Sequence, residues 1–266
     1  MSGPDLVQCT EDLKKDGEDM HTSAYDLKGF YNSRAGKIVR QVVREAVIRA
    51  WPDVRGLRVM GCGYAVPYLD LFLPQAERVF ALMPGGQGAH VWPSEGANRV
   101  CLTDETELPI ETNSIDGVLL IHSLEYAQRP AAHLEEIWRV LKSSGRLLVI
   151  LPNRAGLWSM GGGSPFGHGA PFSRTQTCAA LREALFGIEN ARHALYVPPF
   201  SPLLFPRAAK LFERAGPWLY PAFAGLHVIE ATKQLYGAMP LRERVPARIR
   251  ERAVLIPRPA PPGSGT

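Results

Sequence analysis

The arrangement of apolar and polar positions is most regular in the middle of the chain. From Gly117 to His122 the residues are apolar without alternation, the pattern of a strand covered on both faces of a parallel sheet. From Pro130 to Leu141, the residues Leu134, Ile137, Val140 and Leu141 recur at helical spacing, and Glu135, Glu136, Arg139 and Lys142 occupy the other face, which predicts an amphipathic helix. Gly145 follows where a left-handed C-terminal turn is favoured, and Arg146 to Leu151 is the next β-prone apolar run. Strand, helix, strand in this order predicts a right-handed parallel βαβ unit.

On either side the pattern is looser. Residues Tyr25 to Trp51 predict a helical region whose stripe of Ile38, Val39, Val42, Val43, Ala46, Val47 and Ala50 covers the sheet. Ser173 is placed to cap a helix running through Leu181 to Leu185. Ile188 to Val197 and Leu226 to Thr232 read as the last two strands. Between them, residues 198 to 224 are rich in Pro, Leu, Phe and Trp, which suits either burial against the sheet or a lid for a hydrophobic acceptor or protein partner.

Within 99–154 the chain carries an ordered series: an acidic turn at Asp104 and Glu105, the Leu108-Pro109 step, Asn113-Ser114-Ile115-Asp116 before the apolar strand, and Ile121-His122-Ser123-Leu124-Glu125-Tyr126 after it. A helix ending Arg139-Val140-Leu141-Lys142 and a Ser-Gly turn complete the series. The series resembles the second half of Rossmann-like S-adenosylmethionine-dependent methyltransferases, in particular the small-molecule enzymes grouped with the ubiquinone and menaquinone methyltransferases. The resemblance implies an α/β fold: a doubly wound, mostly parallel seven-stranded sheet with an antiparallel edge. It also implies S-adenosyl-L-methionine as cofactor and a small-molecule or lipid-like methyl acceptor.

The same resemblance places a cofactor site on Gly61, Cys62, Gly63, Met83, Asp104, Glu105 and His122. Leu57 to Met60 stands for the family's first strand and Gly61-Cys62-Gly63 for its glycine loop, where the absence of Cβ lets backbone amides approach a ligand. A Gly-X-Gly fragment alone describes a tight strand-to-helix turn equally well. Three positions depart from the family. Val59 and Ala65 stand where an acid and a third glycine are usual, and Met83, ending the strand Arg78 to Pro84, stands where a carboxylate holds the ribose hydroxyls. Loss of that charge-assisted contact costs on the order of 1.5 to 3 kcal/mol, unless Gly85-Gly86-Gln87-Gly88 supplies a substitute. Met83 reads equally as core filling or an adenine contact. Asp104 matches the acceptor of the adenine amino group. His122, at the carboxyl edge where ligands of open α/β sheets gather, is the candidate general base, set against a structural hydrogen-bonding role, and His168, in the glycine-rich loop 156–173, is the candidate for a mobile substrate residue; these two are the candidate catalytic residues.

Composition narrows the alternatives. The chain has 266 residues and a net charge of +4, with 30 basic against 26 acidic residues, too balanced to argue for nucleic acid. The excess is local: Arg242, Arg244, Arg248, Arg250, Arg252 and Arg258 lie among prolines near the C-terminus. The organisation expected is a flexible segment 1–24, a methyltransferase-like domain 25–236 with the apolar insert 198–224, and a basic tail 237–266. Cys9, Cys62, Cys101 and Cys178 lack metal spacing, so no metal site is expected, and with no secretory signal or spanning apolar run the cytoplasm is the expected compartment. The expected activity is methyl transfer; the alternative, resting on Val59, Ala65 and Met83, is a catalytically inactive binding or regulatory subunit of the same fold. A Rossmann dehydrogenase is disfavoured because the full dinucleotide glycine spacing is missing.

Overall fold

The computed structural model describes residues 22–159, 164–170, 172–199, 206–219 and 223–235. The segment before residue 22, the run Gly161-Gly162-Gly163 and the basic tail lie outside the described residues.

The helical region expected from 25 to 51 is two helices. Helix α1, Ala24–Asn32, starts at Ser23, whose hydroxyl accepts the Asp26 N–H, and buries Ala24, Leu27 and Tyr31 on one face. Ser33 ends α1 and caps α2, Arg34–Ala50, by accepting the Gly36 N–H. The corner needs a glycine, since a Cβ on Gly36 would stand 2.0 Å from the Phe30 carbonyl oxygen. The predicted stripe on α2 is buried at Ile38, Val39, Val42, Val43, Val47 and Ala50.

Five strands follow with their connections: β1, Arg58–Gly63; a short α3, Val66–Leu69; β2, Arg78–Pro84; β3, Val100–Thr103; β4, Ile115–Ile121; α4, Pro130–Val140; and β5, Leu141–Pro152. Then come a single 3-10 turn at Pro165–Gly167, α5 at Arg174–Glu183, β6 at Phe186–Ala194, α6 at Pro206–Leu219 and β7 at Leu226–Lys233. The strands form one seven-stranded sheet in the order β3-β2-β1-β4-β5-β7-β6. Strands β1 to β5 pair in parallel, whereas β7 runs antiparallel to both β5 and β6, as the family resemblance implied.

The apolar runs lack alternation because both faces are covered. Val118 and Leu120 of β4 face α4 and α5, joining Leu134, Ile137, Val140 and Leu181. Leu119 and Ile121 face the other way, joining the α2 stripe. The quiet motifs of the middle region turn out to be structural: Arg139 donates to the Leu108 and Ile110 carbonyls at 2.9 Å, and Asp116 accepts from Lys142 Nζ and the Arg58 N–H.

Three details differ from expectation. The left-handed residue before the main run of β5 is Ser144, with φ 61°, rather than Gly145. Gly145 is required for another reason, because a Cβ there would lie 2.8 Å from the Lys142 carbonyl oxygen. Strand β6 stops at Ala194 instead of continuing to Val197, since Leu195 turns into positive φ at 65°. Much of the insert, 206–219, is the helix α6. Ser173 does cap α5, in a capping box with Gln176.

Candidate functional site

The order β2-β1-β4 makes β1 the strand from which the chain winds outward in both directions, so a crevice is expected above its carboxyl end. Gly61 and Gly63 are there, but their lack of side chain is already used by the protein. A Cβ on Gly61 would meet Leu69 Cδ1 at 2.8 Å and Ala65 Cβ at 2.9 Å; one on Gly63, with φ +70°, would stand 2.4 Å from the Ile121 carbonyl oxygen. The Tyr64 N–H donates to that same oxygen at 2.8 Å. Cys62 and Met83 point into opposite layers of the core. Burial alone pushes the Cys62 thiol up to about 12, which removes it as a nucleophile at neutral pH.

His122 follows β4 with φ 49°, a left-handed conformation that histidine tolerates better than most side chains. Its Nδ1 lies 3.0 Å from Glu125 Oε1, and the other Glu125 oxygen accepts the Ser123 N–H. A carboxylate partner fixes the proton on Nδ1 and leaves Nε2 as an acceptor. The Tyr31 hydroxyl of α1 donates to that nitrogen at 2.8 Å. Burial drives the Tyr31 hydroxyl well above its ordinary range, so it remains a donor at every accessible pH. The Tyr31 ring stacks on Tyr64, with centroids 5.7 Å apart, and Phe30 beside it meets Phe166 and Trp158 edge-on. Gln87 donates to the His122 carbonyl at 2.7 Å and its own carbonyl accepts the Ala24 N–H. Helix α1 is thereby tied to the end of β4, with Tyr31 and Gln87 both bonded to His122, whose carbonyl borders Gly63.

One edge further along the rim is open. A cavity of about 490 Å³ lies at the ends of β2 and β3, lined by Gly85, Gly86, Leu102, Asp104, Glu105 and Arg129 among others. Asp104 Oδ1 accepts both the N–H and the hydroxyl of Thr106, at 2.8 and 2.7 Å, which holds its carboxyl below the usual range. The second oxygen, Oδ2, makes no hydrogen bond among the described residues. The Glu105 turn is tied to the β4 end through His133, whose Nδ1–H donates to the Glu105 carbonyl at 2.8 Å while Nε2 accepts from the Ser123 hydroxyl at 2.9 Å. Burial pushes the His133 pKa down, keeping the ring neutral as this relay requires.

The expected site residues therefore fall into two groups. Gly61, Cys62, Gly63 and His122 lie at the covered end of the crevice, and Asp104 and Glu105 at the open end; Met83 lies beneath, in the core. His168 is exposed on the loop whose Gly169 packs against Tyr126 and the Glu125 carbonyl and whose Phe166 ring lies 5.4 Å from that of His122. Four further residues build the site: Tyr31, Gln87, Glu125 and His133. Gln87 and Glu125 lie in segments already singled out in the sequence, whereas His133 is signalled only by its place on the inward stripe of α4 one turn before Ile137.

Residues 59–149 match the model of the methyltransferase domain family. No curated protein matches the chain. Solved structures with the same fold include an S-adenosylmethionine-dependent methyltransferase from Aquifex aeolicus, 14% identical, with a TM-score of 0.56, over 80% of this chain and 99% of that one. A second, from Thermotoga maritima, is 19% identical with a TM-score of 0.54, over 75% of this chain and 91% of that one. A third is the methyltransferase in complex with the Haloferax volcanii Trm112 methyltransferase activator, 16% identical with a TM-score of 0.56, over 77% and 96% of the two chains.

Proposed function

From a chain whose residues 59–149 match the methyltransferase domain family and lie on a Rossmann-like sheet, we infer an enzyme that transfers methyl groups from S-adenosyl-L-methionine to a hydrophobic small-molecule acceptor. The observation that carries this reading is the open cavity of about 490 Å³ at the β2 and β3 ends, beside the switch point of the sheet.

The residues present fit the two halves of the cofactor differently. The adenosine half suits the open cavity: Asp104 Oδ2 is available to an amino group, Gly85 and Gly86 present backbone without side chains, and Leu102 offers apolar surface. No carboxylate stands at Met83 for the ribose, so affinity is expected to be modest. At the β4 end Tyr31 and Gln87 both bond His122, and we take α1 to be displaced when the methionyl half is accommodated there. When bound, the cofactor supplies an electrophilic methyl group.

This chain's residues then position the acceptor and handle its proton. With Tyr31 withdrawn, His122 Nε2 becomes an accepting nitrogen at the rim, oriented through Nδ1 by Glu125. That makes His122 the group to receive a proton from an acceptor hydroxyl or amine. Much of the rate gain comes from alignment of the reactants and exclusion of water. The free thiols Cys62, Cys101 and Cys178 suit a reducing compartment, which we take to be the cytoplasm.

Calorimetric titration with S-adenosylmethionine and S-adenosylhomocysteine tests the reading. Micromolar binding, weakened about tenfold to a hundredfold by Asp104→Ala through loss of a charge-assisted hydrogen bond, supports it. Absence of binding at millimolar ligand overturns it and leaves a non-catalytic member of the fold.

A further inference from the structure

We propose that the β6–β7 connection docks this protein on an anionic lipid bilayer, with α6 lying in the interface. The connection leaves β6 at Ala194 and enters β7 at Leu226, which pair with each other. Leu226 also pairs with Pro152, the carboxyl end of β5, so the insert emerges on the rim that carries the candidate site.

Helix α6 has an inner and an outer face. On the inner face, Glu213 accepts the N–H groups of Leu195 and Tyr196, and Gly216 is pressed against Tyr196, where a Cβ would meet the ring at 2.3 Å. On the outer face stand Leu211, 67% exposed, Trp218, 93% exposed, and the exposed Arg214. Positions 211, 214 and 218 follow helical spacing and form one stripe. Phe223, which follows the helix in the chain, is 50% exposed.

The charges of the helix decide which partner this stripe fits. Its sequence contains Arg207, Lys210 and Arg214 against the single acid Glu213, and that acid is turned inward onto backbone amides. Among the described residues of α6 no exposed acid stands on the outer stripe, and the neighbouring exposed acid, Glu45 of α2, lies beside Glu213 on the inner side. Tryptophan and arginine on one exposed stripe match the headgroup level of a bilayer, where the indole sits between apolar and wet layers and the guanidinium reaches lipid phosphate. Among the described residues no helix is long and apolar enough to cross a membrane, so the contact is peripheral. Docking here turns the catalytic rim towards the bilayer and lets an apolar acceptor arrive from it; that part of the inference rests on the proposed methyl transfer, whereas the docking itself does not.

Flotation of the full chain with vesicles separates the two. Vesicles of phosphatidylcholine with phosphatidylglycerol are expected to carry the protein upward, pure phosphatidylcholine vesicles far less, and added salt to release it. Trp218→Ala and Arg214→Glu, each checked by thermal melting to be folded, are expected to reduce partitioning about tenfold or more. Brominated lipid is expected to quench the fluorescence lost in Trp218→Phe. The proposal is overturned if anionic vesicles fail to bind, or if binding survives both variants, which would assign it to another part of the chain. It is also overturned if ultracentrifugation shows that Trp218 instead mediates self-association, or if the stripe takes up a protein partner without binding vesicles. Absence of flotation in the wild type with intact cofactor binding would refute the docking and leave the methyltransferase reading standing.

Discussion

Replacing Tyr31 tests whether α1 governs access to the cofactor crevice. The side chain is 4% exposed, stacks on Tyr64 and donates to His122 at 2.8 Å, and all of these contacts require α1 to be seated. Truncating a buried aromatic to alanine costs about 3 to 5 kcal/mol. Most of this penalty falls on the seated state alone, so Tyr31→Ala shifts the balance between seated and displaced α1 by about 3 kcal/mol, somewhat over a hundredfold in population. Tyr31→Phe keeps the ring and leaves His122 Nε2 unpaired, a smaller shift of about 1 to 3 kcal/mol. If the seated state dominates, apparent affinity for S-adenosylhomocysteine rises in both variants, more in the alanine, until the displaced state is fully populated. Titration calorimetry at fixed temperature, with circular dichroism to confirm folding, measures this. Unchanged or weaker binding in both variants would refute the reasoning and make Tyr31 part of the cofactor site.

Two further outcomes follow from the same geometry. Gly63→Ala places a Cβ 2.4 Å from the Ile121 carbonyl oxygen at a positive φ. It is expected to lose about 2 to 4 kcal/mol and to lower the melting temperature by about 5 °C or more; a shift within 1 °C would contradict the packing role. Burial, reinforced by His193 and Arg174, pushes His227 down from 6.5 to about 4. Above the unfolded-state value neither state is protonated and His227 contributes nothing to pH dependence. As pH falls from about 6.5 towards 4 only the unfolded state takes up the proton, and stability drops by up to about 3 kcal/mol. Urea midpoints between pH 7 and 4.5 are expected to fall in the wild type and to fall less steeply in His227→Leu; identical slopes would contradict this.

The parts of the fold that the sequence makes legible are those with a single dominant periodicity. Strand β4 and helix α4 are read from their own apolar spacing because Leu119 and Leu120 meet covered faces and Leu134 and Ile137 meet the sheet. The break at Ser33 is hidden, because the apolar positions of α1 and α2 keep helical spacing across it and only the approach of Phe30 to Gly36 reveals the corner. Helix α6 is masked by the prolines and mixed apolar residues of the insert. At the site, Asp104 and His122 are found through an ordered motif. Tyr31 and His122 are 91 residues apart, and no local pattern joins them. Glycines 61 and 63 were legible as glycines but not in their use, which is contact with Leu69, Ala65 and the Ile121 carbonyl as well as any approach to a ligand.

In the proposed function the cofactor enters at the β2 and β3 ends and displaces α1. Amide hydrogen exchange on the full chain, with and without saturating S-adenosylhomocysteine, tests it most directly. Protection is predicted around 85–86 and 102–106, together with faster exchange in 24–32 as Tyr31 leaves His122. An exchange pattern unchanged at millimolar ligand, or protection confined to segments away from that rim, would contradict it.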